Sequence, residues 1–249
     1  MGTVSSLGGG TAKASTLHAR ASDEYEAKLG EARALLQRAA AQGPVTQASS
    51  LGAEDVVITH LINALGLDIP VFVLETGALH RETLALLERT EAHSQAPVTV
   101  FRPRHEAVLQ FVRTQGQDAM YQSIALRKEC CQIRKMEPLA RALAGQKGWI
   151  TGLRREQSNA RAEVHLIDHS EESSKGLTKY NPLTHWTWGD VWHYIAQNGV
   201  DYNPLHDQFY PSIGCAPCTR AISLGEDFRA GRWWWEDEAA KECGLHVPK

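Results

Sequence analysis

Cys130-Cys131 and Cys215-Ala216-Pro217-Cys218 put four thiols into two tight pairs, far apart in the chain. Four thiolates can hold a tetrahedral zinc ion or an iron–sulfur cluster, provided the fold brings the pairs together. Structural zinc usually takes two pairs spaced by two to four residues, so that each pair reaches the same ion. Adjacent cysteines on a helix point about 100° apart, which follows from 3.6 residues per turn. They reach two irons of a larger cluster more easily than a single zinc. The fifth cysteine, Cys243, stands in Lys241-Glu242-Cys243-Gly244-Leu245-His246. A thiolate is a nucleophile, and nearby cations lower its pKa. Lys241 and His246 are such cations, as are Arg229 and Arg232 if the tail folds back. Read locally, Cys243 is rather an exposed tail thiol without a role, because a lone cysteine matches no transferable motif.

Three stretches suit an anion. Ser49-Ser50-Leu51-Gly52-Ala53-Glu54-Asp55 follows a strand-like run and opens a helix-like one, so its backbone N–H groups can face a phosphate. It lacks the Gly-Lys-Ser/Thr ending of a Walker A loop, which disfavours an ordinary nucleoside triphosphatase. The plainer alternative is a capped helix start, with Ser50 as cap and acids in the first turn. Gly152 to Ser158, with Arg161, sets three arginines at a strand end. Guanidinium forks match phosphate and sulfate oxygens, although such runs are more often solvated surface. Arg229-Ala230-Gly231-Arg232 leads into Trp233-Trp234-Trp235, which reads as core or as the wall of a charged site. The 11 histidines form no H-E-x-x-H or His/Cys zinc spacing and read mostly as structural or surface residues.

The elements that must position these residues alternate. Leu29, Ala32, Leu35, Leu36 and Ala39 recur at three and four, which predicts a helix over 23–41, ended by Gly43-Pro44. Strands are expected over 45–49, 69–74, 98–101 and 148–151, and helices over 56–65, 79–90, 105–115 and 130–143. The last of these helices should break or kink at Pro138. This order favours an α/β fold, a mostly parallel Rossmann-like sheet with helices on both faces. Ligands of such sheets bind beyond the carboxyl ends of the strands, where Ser49 to Asp55, Glu75 to His80 and Gly152 to Arg161 fall. From Lys179 onward prolines interrupt the pattern and six of the 7 tryptophans gather. That segment must pack, but only about 187–196 reads as helix.

With 249 residues, 43% of them hydrophobic, the chain can bury a core without disulfide staples. Lys+Arg 26 against Asp+Glu 29 leaves a net charge of −3, which argues against a general nucleic-acid binder. The longest apolar stretch, Ile69 to Leu74, falls far short of the ~20 residues that span a bilayer. Residues 1–21 are rich in Gly, Ser, Thr and Ala and lack the apolar core of a secretory signal. They are expected to be a disordered tail, with residues 22–249 forming one domain. Clustered cysteines in a chain of this size suit a reducing cytoplasm.

Cys130-Cys131-x-x-Arg134-Lys135-x-x-Pro138-Leu139, Gly214-Cys215-x-x-Cys218-Thr219-Arg220, Gly231-Arg232-Trp233-Trp234-Trp235-Glu236 and Lys241-Glu242-Cys243-Gly244-Leu245-His246 together resemble the assimilatory sulfonucleotide reductases. The match is to the bacterial iron–sulfur adenosine 5′-phosphosulfate reductases. It runs with gaps from about Ser49 to His246 and includes Leu74-Glu75-Thr76-Gly77. The resemblance implies an adenine nucleotide alpha-hydrolase-like fold, and thioredoxin-dependent reduction of adenosine 5′-phosphosulfate to sulfite and AMP in sulfate assimilation and cysteine biosynthesis. The thiolate of Cys243 would attack the sulfur, leaving an S-sulfocysteine that thioredoxin or a similar dithiol resolves. Cys130, Cys131, Cys215 and Cys218 would hold a [4Fe-4S] cluster that tunes charge rather than passing electrons. Lys135, Arg229, Arg232 and His246 would surround the sulfate and phosphate. Ser49, Ser50, Gly52, Glu54, Asp55, Thr76, Gly152 and Arg161 would hold the nucleotide. A C-terminal tail, mobile from about residue 236, would close Cys243 over the substrate and swing out to the dithiol. Ala78 and Arg81 depart from the family pattern in the nucleotide pocket. Reductases of the 3′-phosphorylated nucleotide generally lack the four cysteines, which makes that substrate the second reading. An iron–sulfur nucleotide sensor is the alternative from a different class. Whether the chain forms an oligomer is left open.

Overall fold

A computed structural model describes residues 12–157, 161, 163–170 and 176–237. After a short α1 (Ala14–Leu17) and the long α2 (Tyr25–Ala41), strands and helices alternate. They run β1 (Val45–Ser49), α3 (Ala53–Ala64), β2 (Val71–Leu74), α4 (Arg81–His93), β3 (Val98–Phe101) and α5 (His105–Gln115). Next come α6 (Ile124–Cys131), a π-helical turn (Gln132–Met136), α7 (Glu137–Ala142) and β4 (Gly148–Ile150). Two short strands, β5 (Ile167–Asp168) and β6 (Thr178–Tyr180), and α8 (Trp188–Asn198) follow.

The six strands lie in the order β3-β2-β1-β4-β6-β5, all parallel except β5, which runs antiparallel to β6. Side chains alternate across the sheet, and the apolar set splits accordingly. Val71, Val73 and Ile150 face a core shared with α2, α3, α4 and α8. Phe72 and Trp149, one residue out of phase, face a second core with Leu139, Ala142 and Leu143 at the α7 end. Buried Gln47 locks β1 to α3: its Nε2 donates to the Asp55 carbonyl (2.8 Å) and its Oε1 accepts from Thr59 (2.9 Å).

Three expectations change. The segment 12–21 does not behave as a tail. Ala14 is buried, its N–H donates to Asp207 (2.7 Å), and the His18 ring lies 6.0 Å from Trp188. Hydrogen bonds and ring contacts from the C-terminal third hold it, so the local sequence carries no apolar signal. The cysteine helix begins at Ile124, capped by Ser123, whose hydroxyl accepts from the Leu126 N–H (3.2 Å). Its irregularity precedes Pro138. That proline sits in the first turn of α7, where a missing N–H is tolerated. β5 and β6 join the sheet although they are two and three residues long, too short for periodicity to register.

Candidate active site

The order in which strands are added reverses at β1: β2 and β3 lie to one side, β4 and β6 to the other. Such a switch point opens a crevice beyond the strand carboxyl ends. A cleft of about 210 Å³ lies there. The loop residues Ser49, Ser50, Gly52, Glu54, Asp55, Thr76, Gly152 and Arg161 all line it, as do Lys135, Arg229 and Arg232. The three stretches read as anion loops therefore converge on one site.

Its floor is a closed polar network. Leu51 takes a left-handed backbone (φ 60°) while buried, an uncommon state for a branched residue. That turn lets the Ser50 N–H and hydroxyl both donate to Asp55 Oδ2, at 2.7 Å each. Ser50 is thus tied to Asp55, and the N-cap of α3 is Gly52. Glu54 and Asp55 belong to the first turn of the helix, which begins three residues earlier than periodicity indicates. Arg154, 1% exposed, donates to Glu54 (2.9 Å), and Gln157 donates to the same oxygen (3.0 Å). Arg161 in turn donates to Gln157. Burial opposes ionisation of Glu54, but Arg154 and the Gln157 hydrogen bond outweigh it and hold its carboxyl below the usual range. For Asp55 burial wins over the Ser50 bonds and pushes the pKa up to about 6. Gly152 must stay bare, since a Cβ there would stand 2.5 Å from Asp55 Oδ1.

The opposite wall is cationic. Arg229 and Arg232 are both buried. The Arg232 guanidinium lies 4.6 Å from the Trp233 ring centroid and packs where a Gly214 side chain would otherwise be. Its neutral oxygen partners, Ser212 and Ile213, sit at 3.4 Å, and among the described residues no carboxylate pairs with it. A buried charge without a counter-charge is costly. Lys135 stands on the π-helical turn, an insertion that often marks functional positions.

Lys135 also borders a second cavity, of about 280 Å³, lined by Cys130, Cys131, Cys215 and Cys218. The fold thus brings the two cysteine pairs together, Cys215 and Cys218 buried, the other pair half-buried, and none of the four in a disulfide. Thr76 Oγ1 lies 3.3 Å from Cys215 Sγ, so Thr76 touches the thiols while lining the cleft. Burial pushes the Cys218 thiol up to about 12, with Cys215 adding and Lys135 and Arg232 opposing. Burial likewise raises Cys130, against Arg134. Among the described residues no three His, Cys, Asp or Glu side chains are placed to hold a metal ion. Four thiols facing a shared cavity nonetheless match the donor set of a multi-iron cluster, which spreads its ligands.

Cys243 and His246 lie outside the described residues. His206 and Arg127 have no place in the sequence reading, and Gln157 and Glu236 stand there only inside longer motifs, with no role of their own. Arg154 was read as one of three anion-binding arginines, yet it is spent on Glu54, Glu156 and the Trp186 carbonyl. His206 lines the cleft fully buried, and burial lowers its pKa to about 4, so it stays neutral. No spacing marks these residues, because their partners come from distant segments.

The sheet order, the switch-point cleft and its bonded loops define an α/β protein of the adenine nucleotide alpha-hydrolase-like class. The structure of a phosphoadenylyl-sulfate reductase from Candida auris, in complex with phosphate, superposes with a TM-score of 0.64 at 25% identity. That match covers 78% of this chain and 92% of the other. A Candida glabrata FMN adenylyltransferase superposes at 0.58 with 12% identity, over 94% of this chain and 84% of its own, and shares the fold. The phosphoadenosine phosphosulfate reductase domain matches residues 44–221. Adenosine 5′-phosphosulfate reductase of Burkholderia cepacia is 50% identical over 225 residues, 90% of this chain and 89% of the relative. That of Allochromatium vinosum is 52% identical over 199 residues, 80% of this chain and 77% of the relative. The chain belongs to the phosphoadenosine phosphosulfate reductase family and is an oxidoreductase acting on sulfur. Among the described residues no helix is long and apolar enough to cross a membrane.

Proposed function

We propose that this protein reduces adenosine 5′-phosphosulfate to sulfite and AMP through an S-sulfocysteine on Cys243, with thioredoxin or a similar dithiol protein as reductant. The buried Arg232 guanidinium, lacking a carboxylate partner among the described residues and facing the nucleotide loops, carries this reading. Its support includes the relatives at about half identity, whose name is adenosine 5′-phosphosulfate reductase.

The loop from Ser49 to Asp55 and Gly152 hold the adenosine and its phosphate at the N-terminus of α3. Arg161, Arg229, Arg232, Lys135 and His246 offset the repulsion between an anionic nucleotide and an approaching thiolate. The thiolate of Cys243 attacks the sulfate sulfur. A sulfur–sulfur bond forms as the bond to the bridging oxygen breaks, and AMP departs with that electron pair. A thiolate of the dithiol then attacks Cys243 Sγ, and sulfite leaves with the electrons of the sulfur–sulfur bond. The second thiol closes the donor's disulfide. Sulfur gains two electrons and the dithiol loses two. Cys130, Cys131, Cys215 and Cys218 would hold a [4Fe-4S] cluster, which when bound supplies charge and polarisability beside Lys135.

An anaerobic single-turnover reaction without thioredoxin, read by intact-protein and peptide mass spectrometry, tests the proposal. The expected result is a sulfite-sized adduct on Cys243, released by added thioredoxin and formed faster from the nucleotide without a 3′-phosphate. Iron-loaded protein that forms no adduct with either nucleotide overturns it. The visible spectrum separates a coloured cluster from colourless zinc.

A further inference from the structure

His206 lines the nucleotide cleft while only 6% exposed. Among the described residues neither of its ring nitrogens has a hydrogen-bond partner. The Tyr210 backbone is a polar neighbour but falls outside bonding geometry. Buried polar groups are almost always satisfied, so a histidine unmatched at both nitrogens calls for an explanation.

The ring is not loosely held. It stands on a 3₁₀ turn (Pro204–Gln208) capped by Asn203, whose Oδ1 accepts from the Leu205 N–H (3.1 Å) and whose backbone carbonyl accepts from the His206 N–H (3.0 Å). Asn203 Nδ2 donates to Thr83 on α4 (2.8 Å), another buried residue of the cleft lining. Trp192 and Trp188 meet the imidazole in T-shaped contacts, with centroids 5.2 and 6.0 Å away. The segment 12–21 backs this wall, since His18 lies 6.0 and 6.2 Å from the same two tryptophans. A capped turn and two large rings thus hold in the cleft a polar group that the protein itself does not satisfy.

Burial keeps the ring neutral, with one donor and one acceptor. The carboxylate that acts most on it is Glu54, in the first turn of α3, the helix whose N-terminus receives the 5′-phosphate on the proposed reading. Phosphate and sulfate oxygens only accept. A hydroxyl both donates and accepts and so serves a ring nitrogen in either tautomer, and the ribose is the group joined directly to that phosphate. We propose that His206 is a substrate-binding residue, one of whose ring nitrogens bonds a ribose hydroxyl of the nucleotide. This rests on the reading of the cleft as an adenine-nucleotide site.

The test is equilibrium binding of AMP, 2′-deoxy-AMP, 3′-deoxy-AMP and inosine 5′-monophosphate to the iron-loaded full chain, as the parent, His206→Phe and His206→Gln. Phenylalanine keeps a ring against the tryptophans and removes both nitrogens, whereas glutamine keeps a donor and an acceptor. The parent should bind AMP about tenfold more tightly than one of the two deoxynucleotides, the scale of one hydrogen bond to a buried group. His206→Phe should bind AMP and that deoxynucleotide alike, with the ratio of AMP to inosine monophosphate unchanged. His206→Gln should retain part of the discrimination. A parent indifferent to both hydroxyls overturns the proposal, as does a His206→Phe protein that keeps the parent's ratios, the result expected if a water alone fills the place. Uniform weakening of all four ligands together with a lower melting temperature also overturns it, in favour of a purely structural role. A change confined to the inosine ratio would turn the ring to the base and overturn the hydroxyl contact. If His206→Phe does not fold, His206→Met decides by the same criteria. A parent that binds none of the four nucleotides removes the nucleotide reading itself, which is a separate failure.

Discussion

The two cavities meet at Lys135, yet they are built on opposite terms. In the nucleotide cleft the loop side is bonded to itself: Ser50 to Asp55, and Arg154, Gln157 and Arg161 in series from Glu54. At Glu54 the ion pair and hydrogen bond outweigh burial, whereas at Asp55 burial outweighs the Ser50 bonds, and the loop residues are tied to one another. In the cysteine cavity burial works against the charged form, as the raised Cys218 and Cys130 thiols show. That cavity depends on neighbouring positive charge, and Lys135 and Arg232 are the cations that oppose the shift. One cavity is lined by groups bonded to one another, and the other by thiols that burial holds toward the neutral form. Lys135, on a widened helical turn, lines both.

The largest expected effect is at Cys243, which lies outside the described residues. Cys243→Ser should lower turnover by at least about 10³-fold, the scale of losing a nucleophile, while AMP affinity by equilibrium dialysis stays at the parent's value. Retained turnover would sink the covalent mechanism.

Next in size is the cleft's own network. Arg154→Ala leaves Glu54 buried without its counter-charge, and should cost about 3–5 kcal/mol of folding stability, read from urea unfolding. A loss below about 1 kcal/mol would mean that the network is solvated rather than preorganised. Lys135→Ala should slow the adduct-forming step about 10²-fold, as for loss of one preorganised donor, with iron content unchanged. Iron loss in proportion to the rate would assign Lys135 to the cysteine cavity alone.

The smallest effect concerns Asp55, whose pKa burial raises from 3.8 to about 6. Below about pH 4 the carboxyl is protonated in folded and unfolded chains alike. Between 4 and 6 the unfolded chain releases the proton that the folded state still holds, so this contribution to stability is lost as pH rises. The parent should therefore lose ground to Asp55→Asn across that window, by up to about two orders of magnitude in the folding constant. Urea midpoints measured at each pH check this, and parallel curves would place Asp55 in a solvated setting.

Much of the scaffold was legible in the chain. β1 and β3 fall on the residues where apolar runs placed them, and α5 on its periodic stretch. These elements draw their signal from many local side chains. The three anion loops and the two cysteine pairs were visible because each is contiguous and unusual in composition. What stayed hidden depends on partners far away in sequence. Arg154 reads as a free phosphate ligand until Glu54, 100 residues earlier, is seen to accept from it. Arg127 and Glu236 are unremarkable letters, 109 residues apart, whose meaning lies only in their contact. The π-helical turn that carries Lys135 replaces an expected break at Pro138, because composition does not reveal a one-residue change in hydrogen-bond register.

The two outer strands have a consequence for how the protein behaves at high concentration. An exposed sheet edge offers unpaired backbone groups to any other chain, which is the usual route to strand-by-strand aggregation. Here one rim is β5, only two residues long and reversed in direction. The other is β3, four residues bracketed by Pro97 and Pro103, neither of which has an N–H to extend a ladder. The mostly parallel sheet is thus blunted at both rims against recruiting a neighbour.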